Sequence, residues 1–112
     1  METNYIIVIV TTANKSEAEK ISKALLKEKI IACANIINPV TSFFHWQDKM
    51  DKCEECLVVM KSRRDLFAEL KERVKELHSY EVPEVLAFPI VDGSEAYFAW
   101  MGSALKCNPE HL

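Results

Sequence analysis

Residues 5–12 read Tyr-Ile-Ile-Val-Ile-Val-Thr-Thr, a run that is apolar on both strand parities. Tyr5, Ile7 and Ile9 point one way and Ile6, Val8 and Val10 the other, so the strand is central in its sheet and covered on both sides. The rest of the fold has to supply those two covers.

Asn14 and Glu17 follow at capping-box spacing and open a helix over residues 15–29, with Ala18, Ile21 and Leu25 on one face and lysines and Glu17 on the other. Residues 31–46 read as a long strand interrupted at Asn38-Pro39. A polar turn over residues 47–52 then returns the chain into a third strand over 54–61. Ser62 and Asp65 start a second helix whose stripe is Leu66, Leu70, Val74 and Leu77, ending near His78. Residues 84–91 make a fourth strand, and Asp92-Gly93-Ser94 begins a short third helix carrying Tyr97, Trp100, Met101 and Ala104.

The order βαββαβα with right-handed crossovers predicts an α+β, ferredoxin-like sandwich: a four-stranded antiparallel sheet, two helices on one face, and an extra C-terminal helix. The second and fourth strands then lie at the edges, where Pro39, Pro83 and Pro89 are tolerated. Two helices cover only one face, so the second apolar face, extended by Phe43, Phe44 and Trp46 and joined by Trp100, is expected to meet another copy of the chain. The competing expectation is that the third helix folds back over that face within one subunit.

A chain of 112 residues that is 49% hydrophobic has enough core for one domain, taken as residues 1–112 with an ordered part over 4–105 and a flexible tail over 106–112. The 14 basic and 17 acidic residues form no basic run, which argues against nucleic acid as a partner. No apolar run approaches the roughly 20 residues that cross a bilayer. The first residues lack signal-peptide features, so no membrane partner and a cytoplasmic setting with reduced thiols are expected.

Most of the chemistry is concentrated in His78-Ser79-Tyr80-Glu81-Val82-Pro83-Glu84, where an imidazole, a phenol and two carboxylates lie between a helix and a strand. Cys33 with His78 is a chemically sensible pair for copper or another late divalent ion, with Tyr80, Glu81 and Glu84 as supporting loop groups. Cys53 and Cys56 form one C-x-x-C without a second ligand pair, which does not make a zinc site. His45 reads as a solvated strand residue and His111 as part of the tail. Neither a nucleophile with its base nor a Gly-rich phosphate cradle appears, and the chain is not expected to be an enzyme.

Residues 32–42, Ala-Cys-Ala-Asn-Ile-Ile-Asn-Pro-Val-Thr-Ser, then Trp46, residues 78–85, Tyr97 and Trp100 together resemble the CutA divalent-cation tolerance family. The resemblance covers about residues 4–105. It implies a ferredoxin-like subunit in a homotrimer with PII-like architecture, tolerance of divalent metals, and weak binding of copper or another divalent cation without a defined reaction. It carries His78, Tyr80, Glu81 and Glu84 onto the second family motif and Cys33 onto the first. Ser79 stands where many members have Pro, Asp48 where the hairpin usually has Gly, and Thr11 where some copper-associated members carry Cys. A hydroxyl is a poor soft-metal ligand, which weakens the expectation of copper affinity. The alternative is a PII-like trimer that senses a small anionic molecule and regulates a partner protein.

Overall fold

The computed structural model describes residues 3–107. The elements run β1 (Tyr5–Thr12), α1 (Lys15–Lys27), β2 (Cys33–Trp46), β3 (Lys49–Arg63), α2 (Phe67–Leu77), β4 (Val85–Pro89) and α3 (Glu95–Ala104). The sheet order is β2-β3-β1-β4, with every neighbouring pair antiparallel. This is the ferredoxin-like arrangement, with β1 inside and β2 and β4 at the edges.

The helices cover one face. Ile6, Val8 and Val10 of β1 and Val58 and Met60 of β3 are buried there against Ile21 and Leu25 of α1 and Leu70 and Val74 of α2. Asn14 caps α1 by accepting the Glu17 amide at 2.8 Å, as its spacing predicts. Ser62 does not cap a helix. Its hydroxyl is buried and donates to the Ile30 carbonyl at 2.7 Å, and a single 3-10 turn at Arg64–Leu66 leads into α2 instead.

The opposite face is bare. Across it the register aligns Phe88, Ile7, Lys61 and Cys33 in one row, and Leu86, Ile9, Val59 and Asn35 in the next. The third helix covers only one end of this surface, where its Phe98 and Tyr97 meet Tyr5 and Cys33. Its Met101 and Leu105 pack with Ala32 and Leu66, and Phe98 stacks on Tyr5 at 5.0 Å, which closes one end of the sheet. Leu86 and Phe88 stay about half exposed, at 51% and 48%.

Two boundaries differ from expectation. The hairpin turn is only Gln47 and Asp48, with φ of 50° and 62°, and β3 begins at Lys49. The β2–β3 arm projects beyond the body, giving a long axis of 46 Å against 28 and 23 Å, so its tip has no core against which to alternate. Pro83 lies in the loop before β4, while Pro39 sits at the register shift between Ile37 and Val40, where a missing amide costs the ladder nothing. Lys106, expected to open a flexible tail, is tied to the body. The Lys106 amide donates to Lys29, its carbonyl accepts from Arg63 and its ammonium meets Glu69 at 2.6 Å. Residues 108–112, His111 among them, lie outside the described residues.

Candidate functional site

The loop after α2 is pinned by its own histidine. His78 is 9% exposed, and its Nδ1 accepts the Tyr80 amide at 3.0 Å. That fixes the proton on Nε2, which donates to the Thr11 carbonyl of β1 at 2.7 Å. Both ring nitrogens are thereby engaged with backbone, and the imidazole joins the end of α2 to the central strand.

Glu17 holds the same loop from α1. Its Oε1 accepts the Ala13 amide at 3.0 Å and its Oε2 the Ser79 amide at 2.8 Å. Burial alone would raise this carboxyl, but the hydrogen bonds from Ser79 and Ala13 and the proximity of His78 outweigh it and leave the group below its ordinary value of 4.5. A carboxyl depressed by folding stabilises the native state above 4.5 and loses that contribution as pH falls through its folded value. Protection of the Ser79 amide from hydrogen exchange, corrected for the intrinsic rate, should therefore persist at pH 4.5 and fall only at more acidic pH in the native protein. It should show no such step in Glu17→Gln, and an equal step in both would remove Glu17 from this role.

Tyr80 turns inward and donates to Glu55 Oε2 at 2.8 Å. Burial and the Glu55 carboxylate together push its phenol far above the ordinary range, so it remains a neutral donor. Glu55 is 9% exposed, and it is the site residue that sequence reasoning missed. The available signal was its parity: it shares the strand face of Leu57 and Val59, where a charge is unexpected. Glu55 and Tyr80 line a cavity of about 840 Å³ at the root of the β2–β3 arm. Glu81 and Glu84 stand exposed along its edge, and Phe43, Phe44 and Trp46 of the arm also line it. Trp100 is elsewhere, beside Tyr97 at a ring distance of 5.3 Å.

Cys33 occupies the other end of the sheet. Lys61 Nζ donates to its sulfur at 3.4 Å and to Asn35 Oδ1 at 2.8 Å, and the Tyr97 hydroxyl lies 3.8 Å away. The contact with Cys33 raises the Tyr97 phenol above its usual value. Cys56 is fully buried and donates to Asn38 Oδ1 at 2.8 Å. Cys53 is half-buried, and burial plus the nearby Glu55 and Asp51 raise its thiol, which opposes metal ligation. His45 is exposed on the arm opposite Met50.

Residues 6–104 match the family described as CutA1 divalent ion tolerance protein. A divalent-cation tolerance protein CutA of Pyrococcus horikoshii is 43% identical over 96 residues, spanning 86% of this chain and 93% of that one. The chain belongs to the CutA1 divalent ion tolerance family. The crystal structure of CutA1 from Oryza sativa aligns with a TM-score of 0.90 at 34% identity, covering 94% of this chain and 96% of that one. The periplasmic divalent cation tolerance protein CutA from Archaeoglobus fulgidus aligns at 0.88 and 35% identity, covering 91% and 99%. The family and the fold expected from the sequence both hold.

The copper pair that the CutA1 resemblance implies is not assembled within one subunit. Cys33 pairs across to Lys61 and thence to Ile7, whereas His78 contacts Thr11, four residues further along β1. That is a separation of about 13 Å along the strands and about 10 Å across them. His78 has no free ring nitrogen, and among the described residues no three His, Cys, Asp or Glu side chains converge on a common point. The described donors of this single subunit do not fit a chelated late divalent ion.

Proposed function

We propose that this chain serves divalent-cation tolerance as a non-catalytic homotrimer whose copies bury the bare sheet face. The observation that carries the reading is the pair of rows through Leu86, Ile9 and Val59 and through Phe88 and Ile7, an apolar surface whose Leu86 and Phe88 are left half exposed by the described residues. The free edges belong to different strands, β2 and β4. Contact between one edge and the next copy's other edge is head-to-tail, the kind of contact that forms a ring when the rotation between copies closes. Three members is the count implied by the family.

Copper or another divalent cation is bound weakly in this reading. Cys33 is the more accessible donor, and His78 acts by holding the loop. The role is binding rather than turnover, since the buried imidazole has no nitrogen free to move a proton. A cytoplasmic setting belongs to the same proposal and is supported by the free thiols of Cys33, Cys53, Cys56 and Cys107. The signalling alternative with an anionic ligand finds less support. The cavity carries Asp51, Glu55, Glu81 and Glu84 and no Lys or Arg.

Solution mass by sedimentation tests the assembly. The expected result at micromolar concentration is three times the mass of the 112-residue chain. A well-folded single subunit would overturn the proposal.

A further inference from the structure

Beneath one end of α3, Cys33 and Lys61 stand directly opposite each other on the antiparallel strands β2 and β3. Opposed residues on one face of such a pair hold their β-carbons within about 5.5 Å. The register therefore sets a thiol against an amine without help from any loop, and Lys61 Nζ lies 3.4 Å from Cys33 Sγ.

Two further side chains keep the amine there. Asn35, two residues along β2 and so on the same face, accepts from Lys61 Nζ at 2.8 Å. Tyr97 of α3 places its hydroxyl 3.8 Å from the sulfur and closes over the pair from the helix side. Cys33 and Lys61 are both half-buried. They sit across the sheet from Leu86 and Phe88 of β4, at the end that α3 covers within the subunit.

A sulfenic acid formed at Cys33 meets an amine before it meets a thiol of the neighbouring strand. Cys56 and Cys53 lie about 17 Å and about 27 Å from Lys61 along β3. Sulfenic acids condense with a thiol or with a nitrogen, whichever is held within reach. The nitrogen in contact with this sulfur is that of Lys61.

We propose that Cys33 and Lys61 form an oxidative cross-linking pair, joined by a reversible sulfur–nitrogen bond when a peroxide reaches the thiol. The peroxide transfers one oxygen to Cys33 Sγ as its O–O bond breaks; the thiol becomes a sulfenic acid and the peroxide is reduced to water. The neutral Lys61 amine then attacks that sulfur. The S–O bond breaks, the departing hydroxide takes the amine's proton and leaves as water, and the S–N bond remains. A thiol reductant reverses the step by attacking the sulfur and releasing the amine. While it lasts, the bond ties the edge strand β2 to β3 and withdraws Cys33 from soft-metal ligation. It needs neither a metal nor a second copy, so it stands apart from the tolerance and assembly readings.

The full chain, stripped of metal with a chelator, is exposed to a few equivalents of hydrogen peroxide, alkylated, digested without reductant and read by mass spectrometry. The expected product is the Cys33 peptide joined to the Lys61 peptide, lighter than their sum by a pair of hydrogen atoms and separated again by dithiothreitol. Lys61→Arg keeps a cationic donor beside the sulfur but has no amine that condenses. It should abolish the linked species and raise dimedone-trapped Cys33 sulfenic acid by about fivefold or more. Unfolding the chain in guanidinium before adding peroxide should abolish the link as well, because the strand register is then gone. Absence of the linked peptides from the folded native chain, or an equal dimedone yield in the native chain and folded Lys61→Arg, would overturn the proposal. So would recovery of Cys33 as a disulfide with Cys107, or a linked mass carrying an additional oxygen, since neither contains a direct S–N bond.

Discussion

His78→Ala is expected to destabilise the protein by about 2–4 kcal/mol while leaving its copper isotherm unchanged. The imidazole satisfies two backbone groups at once, the Thr11 carbonyl at 2.7 Å and the Tyr80 amide at 3.0 Å, on elements far apart in sequence. Removing it strands both groups in a half-buried place and opens a void between the end of α2 and β1. Tyr80 would lose its anchor, so its bond to Glu55 should loosen as well. Denaturant titration gives the stability change, and copper titration on the same protein gives the second readout. A stability loss below about 0.5 kcal/mol together with a vanished copper signal would make His78 a ligand and not a pin.

The second large effect is expected at the bare face. Leu86 sits on it at the β4 edge, paired with Ile9 of the central strand and 51% exposed in the isolated subunit. Leu86→Asp places a charge where the proposed trimer excludes water, while in a lone subunit the same side chain meets solvent. The variant should fold with near-native secondary structure but associate at least a hundredfold more weakly, a loss of about 3 kcal/mol per contact. Sedimentation across a dilution series measures this directly. A variant that stays trimeric at the same concentrations as the native chain would show that the assembly is held by some other surface.

The element order was legible because the signals were local or strongly periodic. β1 is apolar on both parities, Asn14 and Glu17 cap α1, and Leu70 and Val74 mark the buried stripe of α2. The outer arm was not legible. Lys49, Asp51 and Lys52 belong to a strand but project from the body, so burial imposes no alternation on them. Ser62 had the composition of a cap, yet its hydroxyl answers the Ile30 carbonyl across the fold, a partner that spacing does not reveal.

The site divided in the same way. The motif at residues 78–84 identified the right loop, and Tyr80, Glu81 and Glu84 do line one cavity. What the side chains do there depends on contacts with distant segments: Thr11 for His78, Glu17 for Ser79 and Glu55 for Tyr80. Chemical suitability alone made Cys33 and His78 partners. The strand register, which no short motif encodes, puts them at opposite ends of the sheet.

The outer ladder of β4 is only five residues long and ends at Pro89, with Pro83 just ahead of it. At this border a lone subunit thus offers stray chains a very short template, bounded at its far end by a residue with no amide hydrogen. Fibril growth needs a long, flat, uninterrupted rim. The longer border, β2, is broken at Pro39 by the register shift between Ile37 and Val40, so neither free edge offers an unbroken ladder along its whole length.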